Sequence, residues 1–359
     1  MKEKMNYIGK LFEVKWKQGN LERRNGGVKV QYTMLENGMD FIISGISYLQ
    51  RAELKNEEEN IQGRELKYAL LHLSSGIELV FKSRLYIEHW TYIFEDMNKA
   101  SKKSYEDGSL KTVDSNTAID RLERLCGYSF DEKQKDHLKK LREARNRFEH
   151  GYINNNPRAI ESIINKAVEV IADFLGKNYQ EFTMPSNMNL SNGLTNKEKI
   201  FFQELTEKIG SLKNHYDDAV KLANSRALDI TLKENLMECP ECGEKLLRHA
   251  DVEYTKCECY FCGYSDDPQN VAKEYIENVL NISEYETVHD GEKFPLYICP
   301  DCYHESMVRT KKFYFCFSCG MKYKLTELRN CILCDELFFS LNDEIYCDNC
   351  KESLNEKNK

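Results

Sequence analysis

The sequence lacks the long apolar runs that insert into membranes. No stretch of 18 or more residues is continuously apolar, and 31% of the residues are charged, so we expect no transmembrane helix and no membrane partner. The first residues, Met1-Lys2-Glu3-Lys4 and those that follow, also lack the short apolar stretch and small-residue cleavage site of a signal peptide. We therefore expect a cytoplasmic protein.

Positive charge is scarce in the C-terminal third of the chain. Residues 236–359 carry 14 Lys and Arg against 24 Asp and Glu, a net charge of −10, whereas residues 1–235 carry 37 against 35, a net charge of +2. An acidic surface repels phosphates, so the C-terminal third is a poor generic binder of nucleic acid.

The order of sequence patterns predicts a mainly helical protein of several domains. With 359 residues, 41% of them hydrophobic, the chain is long enough for two or three domains. An N-terminal extension (1–37) with short strands near Val28 and Val30 precedes a helical bundle (38–178), and a linker with a helical spacer (179–236) follows. Three small zinc-ribbon β modules complete the chain at 237–268, 296–325 and 328–354.

Apolar spacing and capping residues predict the helices of the bundle. Leu66, Leu70, Leu73 and Ile77 hold the i, i+3, i+4 spacing of an amphipathic helix. Several such helices with short connections favour an antiparallel bundle. For the helix ends we expect Ser115 or Asn116 to cap one helix, Asp131 to cap the next, Gly151 to end it and Pro157 to begin the last one.

Twelve of the fourteen cysteines form six Cys-x-x-Cys pairs, all after residue 238. In a chain without an export signal this pattern favours metal over disulfides. Two pairs supply the tetrahedral four-thiolate shell of structural zinc, which leaves no open position for catalysis. We expect about three Zn²⁺ sites and no catalytic cofactor. The ligands are Cys239, Cys242, Cys259 and Cys262; Cys299, Cys302, Cys316 and Cys319; and Cys331, Cys334, Cys347 and Cys350. The Cys-Pro-x-Cys-Gly form of the first module resembles the zinc-ribbon family.

Three questions about the cysteine modules stay open at the level of sequence. Cys257 is a spare thiol that could replace Cys259 as a ligand. The second and third modules lie close enough to interleave in a cross-brace, although sequential pairing is simpler. The aromatic and basic segment 309–317 could stack bases, but we favour an ordinary ribbon strand with its aromatic rings in a small core.

A basic helix before Gly151 carries the residues that point to chemistry. Between Lys133 and Arg147 there are seven basic residues and two acidic ones, and Arg145, Asn146 and His150 follow one another in an R-N-x-x-x-H pattern. Histidine exchanges protons near neutrality, and arginine binds phosphate oxygens. Arg145 and His150 lie about 140° apart on a helix. For these side chains to act on one substrate, either the helix ends at the histidine or a second copy of the chain contributes to the site.

This segment resembles the HEPN superfamily (higher eukaryotes and prokaryotes nucleotide-binding), whose ribonuclease members carry an R-x4-H motif. The upstream helix, with Glu78 and Lys82, also looks like the second HEPN helix, and the resemblance spans about residues 38–178. It implies an all-helical homodimer with a composite active site that cleaves RNA without metal and leaves a 2′,3′-cyclic phosphate. In that case Arg145 binds the scissile phosphate, His150 is the general acid and base, and Asn146 orients the substrate or the histidine.

The resemblance also implies biological partners. Many relatives are toxins of toxin–antitoxin or anti-phage defence systems, so an antitoxin or defence protein is an expected partner beside the RNA substrate. In one toxin group the motif extends to R-x4-H-x-Y, and the tyrosine is modified by the antitoxin. Tyr152 occupies that position, although we favour a packing or surface role for it. The rival interpretation is a non-enzymatic adaptor, with a HEPN-like bundle for dimerisation and zinc ribbons for docking proteins or nucleic acid.

Overall fold

The computed structural model describes residues 32–54, 59–109, 111–151, 156–179, 194–227, 235–250, 253, 255–340 and 344–356. The chain divides into two compact units that alternate along the sequence. The first comprises residues 1–153 and 163–215, and the second comprises residues 154–162 and 216–359. The predicted N-terminal strands near Val28 and Val30 lie outside the described residues.

The first unit is built from helices. They are α1 (Met34–Leu54), α2 (Glu59–Glu88), α3 (Lys102–Glu106), α4 (Ser115–Cys126), α5 (Glu132–His150), α6 (Pro157–Asn178) and α7 (Asn196–Arg226), the last two being shared with the second unit. Two short 3₁₀ helices, Trp90–Ile93 and Met97–Lys99, lie in the connection that follows α2. No helix among the described residues is long and apolar enough to cross a membrane.

Most of the predicted helix ends are confirmed. Asp131 caps α5 in a reciprocal box with Gln134, and Gly151 ends that helix. Pro157 is the first residue of α6. For α4 the predicted N-cap, Ser115 or Asn116, is wrong. The N-cap is Asp114, whose carboxylate accepts a hydrogen bond from the Thr117 N–H at 2.8 Å. Aspartate and serine cap helices about equally well, so the sequence does not discriminate between neighbouring candidates.

Helices α1 and α2 run antiparallel and approach closely at glycines. A Cβ built on Gly76 would lie 2.6 Å from Ile42 Cγ1 and 2.7 Å from the carbonyl oxygen of Gly38. A Cβ on Gly45 would lie 3.0 Å from the carbonyl oxygen of Ala69. The apolar residues predicted for these helices, including Leu70 and Leu73, are fully buried. The helix pair is therefore packed backbone to backbone, with no room for additional side-chain atoms.

Aromatic rings fill the core between α2, α6 and the turn before α5. Phe81 lies 4.8 Å from Phe174 and 5.5 Å from Phe130, measured between ring centroids, and both pairs are edge to face. Tyr128 packs on Phe130 at 4.5 Å and hydrogen-bonds Asp173 at 3.1 Å. Edge-to-face pairs contribute beyond their buried area, and this cluster holds the start of α5 against α6.

The second unit contains small antiparallel sheets and short helices. One sheet has strands β1 (Leu247–Arg248), β2 (Cys257–Cys259) and β3 (Ser265–Asp266); the next has β4 (Leu296–Ile298), β5 (Glu305–Arg309), β6 (Phe313–Cys316) and β7 (Lys322–Lys324); the last has β8 (Leu328–Asn330) and β9 (Leu337–Phe339). The helices are α8 (Pro268–Asn278), α9 (Glu284–His289) and α10 (Asp348–Glu356). The expected architecture, mainly helical with small β modules at the C-terminus, is confirmed.

Successive side chains of strand β6 are buried in two different cores. Phe315 is buried in a core that also contains the cysteines of the first module, whereas Tyr314 and Cys316 are buried in the core of the second module. Phe317 is fully buried as well. Three of the four rings of segment 309–317 are therefore buried in ribbon cores and unavailable for base stacking, as favoured from the sequence, and Phe313 is partly buried.

Replacement of Gly76 by alanine should destabilise the first unit. The added methyl group meets backbone atoms that cannot rotate away, and overpacking of this kind costs about 1–3 kcal/mol. We expect the urea unfolding curve of the full chain, followed by far-UV circular dichroism, to shift to lower denaturant.

Gly63→Ala is the matched control, because Gly63 lies in the same helix and a Cβ there meets no described atom within 4 Å. Alanine in place of glycine at an open helical position should stabilise the folded protein by about 0.5–1 kcal/mol. Equal effects of the two substitutions would show that α1 and α2 do not approach this closely.

Candidate metal centres and the motif at the end of α5

The twelve paired cysteines converge into three four-thiol clusters. In each cluster the four sulfurs lie within 4.8 Å of one another. Sγ–Sγ distances are 3.8 Å for Cys239 and Cys262, 3.7 Å for Cys242 and Cys259, and 3.6 Å for Cys302 and Cys316. The clusters are sequential, each built from two successive Cys-x-x-Cys pairs, so the second and third modules are not cross-braced.

A repeated backbone turn forms the cysteine knuckles. In each of five knuckles the N–H of the residue after the second cysteine donates to the carbonyl oxygen of the first cysteine, at 2.8–2.9 Å. That residue adopts a positive φ, such as +68° at Gly243 and +73° at Gly320. Tyr303 and Asp335 adopt the same conformation at about +58° and +57°. The N–H of the following residue then donates to the sulfur of the second cysteine, as the Glu244 N–H does to Cys242 Sγ at 3.4 Å. Such a hydrogen bond favours the thiolate form of the cysteine.

The donor set fits a tetrahedral metal ion. Burial, with the neighbouring thiols, raises the pKa of Cys239, and all four sulfurs of the first cluster are buried. Four thiolates at one point in a low-dielectric interior repel one another unless a cation neutralises them. The third cluster is more open, because Cys334 is exposed. Each cluster can hold one metal ion in a closed shell, as the sequence pattern predicts.

Cys257 lies outside the first cluster. Its Sγ is fully buried and donates to the carbonyl oxygen of Phe317 at 3.4 Å, and burial raises the pKa of this thiol to about 12. The Ala250 N–H donates to the same carbonyl oxygen at 2.8 Å. Cys257 thus joins the first module to the second through an ordinary buried contact, and Cys259 occupies the ligand position.

The first cysteine cluster is hydrogen-bonded to the beginning of α6 within the second unit. The Ser162 hydroxyl donates to the carbonyl oxygen of Cys242 at 2.6 Å and lies 2.7 Å from the Tyr216 hydroxyl. Tyr216 in turn donates to Glu244 at 2.8 Å, and burial raises the pKa of this tyrosine. The sequence carried no signal for this network, which joins residues as far as 80 positions apart.

The R-x4-H residues lie in the last turns of α5, which ends at His150. Arg145 Nη1 donates to Asn146 Oδ1 at 3.2 Å. The His150 ring is 76% exposed and therefore open to a ligand. Tyr152 lies outside the described residues. The helix ends at the histidine. This is one of the two arrangements, beside a contribution from a second copy, that would let these side chains act on one substrate.

Glu149 connects the two motif residues that the helix separates. Its Oε2 atom lies 2.9 Å from Arg145 Nη2 and 3.7 Å from His150 Nε2. Sequence reasoning missed this carboxylate, although its position four residues after Arg145 and beside His150 was a usable signal. Arg145 and His150 of one chain can therefore approach a single anionic oxygen atom, in spite of the wide angle between their positions on the helix.

Glu78 and Lys82 form a separate ion pair on α2. Lys82 Nζ donates to Glu78 Oε1 at 2.5 Å and to the Thr112 hydroxyl at 2.9 Å, and the lysine side chain is 7% exposed. A nearly buried ammonium needs such partners to offset its lost hydration. The arrangement ties α2 to the segment before α4, and we assign it a structural role.

Substitution of one cluster cysteine should remove one metal ion. Cys239→Ser takes a thiolate from the first cluster, so we expect the metal content of the purified protein, measured by mass spectrometry of the elements, to fall by about one ion per chain from the three that the clusters can hold.

Cys257→Ser is the control, since a serine hydroxyl can still donate to the Phe317 carbonyl oxygen. Its metal content should equal that of the unaltered protein. Loss of an ion from Cys257→Ser, with none lost from Cys239→Ser, would show that Cys257 is the ligand in solution.

Comparisons of the chain with protein-family models, with curated proteins and with solved structures return no match.

Proposed function

We propose that this protein is a metal-independent endoribonuclease of the HEPN type, active as a homodimer. The observation that carries the proposal is the single oxygen, Glu149 Oε2, that lies 2.9 Å from Arg145 Nη2 and 3.7 Å from His150 Nε2. A phosphate oxygen is also a compact anionic acceptor, and arginine and histidine are the residues that bind it and exchange protons beside it.

The proposed reaction uses the 2′-hydroxyl group of the RNA as its nucleophile. His150 accepts the 2′-hydroxyl proton, the 2′-oxygen forms a bond to phosphorus, and the bond from phosphorus to the 5′-oxygen breaks. The protonated His150 gives a proton to the leaving 5′-oxygen, and a 2′,3′-cyclic phosphate remains. Arg145 stabilises the charge that develops on the phosphate, and Asn146, bonded to Arg145, holds that guanidinium. A second copy of the chain contributes a second motif to the same cleft.

We assign structural zinc to the three cysteine clusters. Four sulfurs about 2.3 Å from a tetrahedral Zn²⁺ are about 3.8 Å apart, and the Sγ–Sγ distances of 3.6–3.8 Å agree with that spacing. A closed four-thiolate shell offers no position for water or substrate. Zinc therefore supplies folding free energy to modules too small for a sufficient core, and catalysis is left to α5.

The zinc modules are proposed to recognise a partner or trigger. Ile332 and Leu333, between the two cysteines of the fifth knuckle, are 68% and 55% exposed, and adjacent exposed apolar side chains are typical of contact surfaces. A cytoplasmic toxin or anti-phage effector, with an antitoxin or defence protein as the partner, fits this combination of nuclease and docking modules.

The same exposed knuckle favours a second candidate function. A non-enzymatic adaptor would use the helical unit for dimerisation and the zinc modules for docking, and it would need no reactive histidine. The two candidates differ in one measurable respect, which is whether the protein breaks RNA chains through His150.

Substitution of His150 by alanine should abolish RNA cleavage without loss of fold. Removal of a general acid and base typically lowers rates by about 10²–10⁴-fold. The measurement is cleavage of several RNAs in chelator by the wild-type and His150→Ala proteins, with analysis of the product ends.

We expect 2′,3′-cyclic phosphate ends from the wild-type protein alone. Helical circular dichroism of both proteins under the assay conditions controls for loss of zinc. A folded dimer of the wild-type protein that leaves every RNA intact would instead support the adaptor.

Substitution of Glu149 by glutamine should strengthen RNA binding. The carboxylate competes with a phosphate for Arg145, and an exposed ion pair of this kind contributes about 0.2–1 kcal/mol, so its loss raises RNA affinity by up to about fivefold. Binding is measured by fluorescence anisotropy with a labelled RNA in the His150→Ala background. Glu143→Gln, on the same helix and paired with Lys139, removes the same charge and is the control. Weaker binding of the Glu149→Gln protein would show that the carboxylate assists, rather than competes with, the substrate.

A further inference from the structure

A patch of positive charge lies on the second ribbon module, in a part of the chain that is otherwise acidic. Residues 309–324 contain five basic residues and no acidic one, whereas the rest of 236–359 carries nine basic residues against 24 acidic ones. We call the five cations the basic patch; they are Arg309, Lys311, Lys312, Lys322 and Lys324. All of them belong to the second unit. The negative net charge of the C-terminal third therefore does not describe this patch.

The register of the sheet brings the patch together at the beginning of β6. Lys311 and Lys312 lie in the turn that joins β5 to β6, and Phe313 is the first residue of β6. In the pairing of β6 with β7, Phe313 is directly opposite Lys324, and side chains at opposite positions lie about 4.5–5.5 Å apart between Cβ atoms. Lys322 is on the same face of β7, two residues earlier, and β7 is at the edge of the sheet. Three segments of the chain thus contribute to one surface.

The cations of the patch are open to solvent and keep their charge. All five are exposed, and none makes an ion pair with a carboxylate within the residues that the structure describes. Glu327 accepts a hydrogen bond from the backbone N–H of Lys324 at 2.8 Å, but its carboxylate does not pair with the ammonium group. By contrast, Lys293 in the same unit is paired with Asp335 at 2.6 Å. The patch lacks compensation of that kind.

An aromatic ring, and not a carboxylate, positions Lys322. Its Nζ atom lies 4.0 Å from the centroid of the partly buried Phe313 ring. A cation over the face of a ring gains about 0.5–1 kcal/mol at an exposed site, and the ring leaves the positive charge available to an anion. Like charges that lie opposite each other on a sheet destabilise it. A cluster of uncompensated cations therefore fits a surface that binds an anion.

Phosphate is the anion that the composition of the patch favours. Four of the five cations are lysine, which is depleted from protein–protein interfaces and binds phosphates as a point charge. We propose that the basic patch binds the phosphates of single-stranded RNA, a proposal that rests on the ribonuclease function proposed above. Contacts with phosphates carry no sequence information, so the patch supplies affinity for the substrate and no sequence preference. The acidic residues elsewhere in the ribbon modules repel phosphates, which confines RNA binding by these modules to the patch.

Binding of RNA, measured apart from its cleavage, tests the patch. The parent protein is the full chain with His150→Ala, which keeps the RNA intact, and the zinc content and melting temperature of every variant are checked. Lys311→Gln with Lys312→Gln removes two charges from the patch, and these side chains make no hydrogen bond within the described residues. Lys102→Gln with Lys103→Gln removes a pair of adjacent exposed lysines from the first unit and is the matched control. The probe is a short fluorescent single-stranded RNA of mixed sequence, titrated between about 50 and 200 mM salt.

The two double variants should behave differently. Each phosphate contact on a single strand contributes a slope of about −0.7 to the dependence of log K on log salt. The patch variant should therefore lose about 1.4 from the slope and bind RNA on the order of 25-fold more weakly at 0.1 M salt. The control variant should bind as the parent does. Equal binding losses in the two variants, no loss in the patch variant, or no RNA binding by the parent would overturn the proposal.

Two further outcomes separate the patch from the proposed function. Cleavage of RNA by the protein that retains His150, together with unaltered binding in the patch variant, would refute the patch and leave the ribonuclease intact. Binding that depends on the patch, in a protein that cleaves no RNA, would support the patch and refute the ribonuclease.

A competitor identifies the class of anion. Unlabelled RNA should displace the probe from the parent protein more effectively than a polyglutamate peptide at equal concentration of charge. A polyglutamate peptide that displaces the probe more effectively than RNA does would assign the patch to an acidic protein and overturn the RNA proposal.

Discussion

The second unit depends on one electrostatic constraint, which is that four sulfurs meet at one buried point. The sulfurs of Cys239, Cys242, Cys259 and Cys262 lie within 4.8 Å of one another, and all four residues are buried. Thiolates this close require a cation, and a cation bound there holds four positions of the chain together. Modules of about thirty residues bury too little apolar surface to fold alone, so an ion bound at each cluster would supply the stabilisation that the core cannot. The strands and knuckles around each cluster follow from that requirement.

The same constraint extends beyond the ribbons through a hydrogen bond. Ser162, in the second turn of α6 and within the second unit, donates to the carbonyl oxygen of Cys242 at 2.6 Å, so the cluster also fixes residues 157–162 of that helix. Within the second unit the first cluster is therefore tied to the start of α6, which distinguishes it from the third cluster, where Cys334 is exposed.

Features with local causes were predictable from the sequence, and features that depend on distant residues were not. The cysteine clusters and the cap at Asp131 were predicted because spacing within a few residues determines them. The bond from Ser162 to Cys242 joins residues 80 positions apart, and no pattern in the sequence indicates it. Glu149 is an intermediate case, since its spacing from Arg145 is visible, but its contact with His150 depends on side-chain conformation and on where α5 ends.

The shared oxygen of Glu149 also accounts for how Arg145 and His150 can be ordered although both are accessible to solvent. Arg145 and His150 would repel each other if both were charged, and a carboxylate between them removes that cost. The pair is partly exposed, with Arg145 39% and Glu149 31% accessible, so it contributes at most about 1 kcal/mol. Charge-assisted hydrogen bonds from arginine to a phosphate contribute about 1.5–3 kcal/mol each. A phosphodiester, the substrate class that we propose, would therefore be able to displace the carboxylate from Arg145.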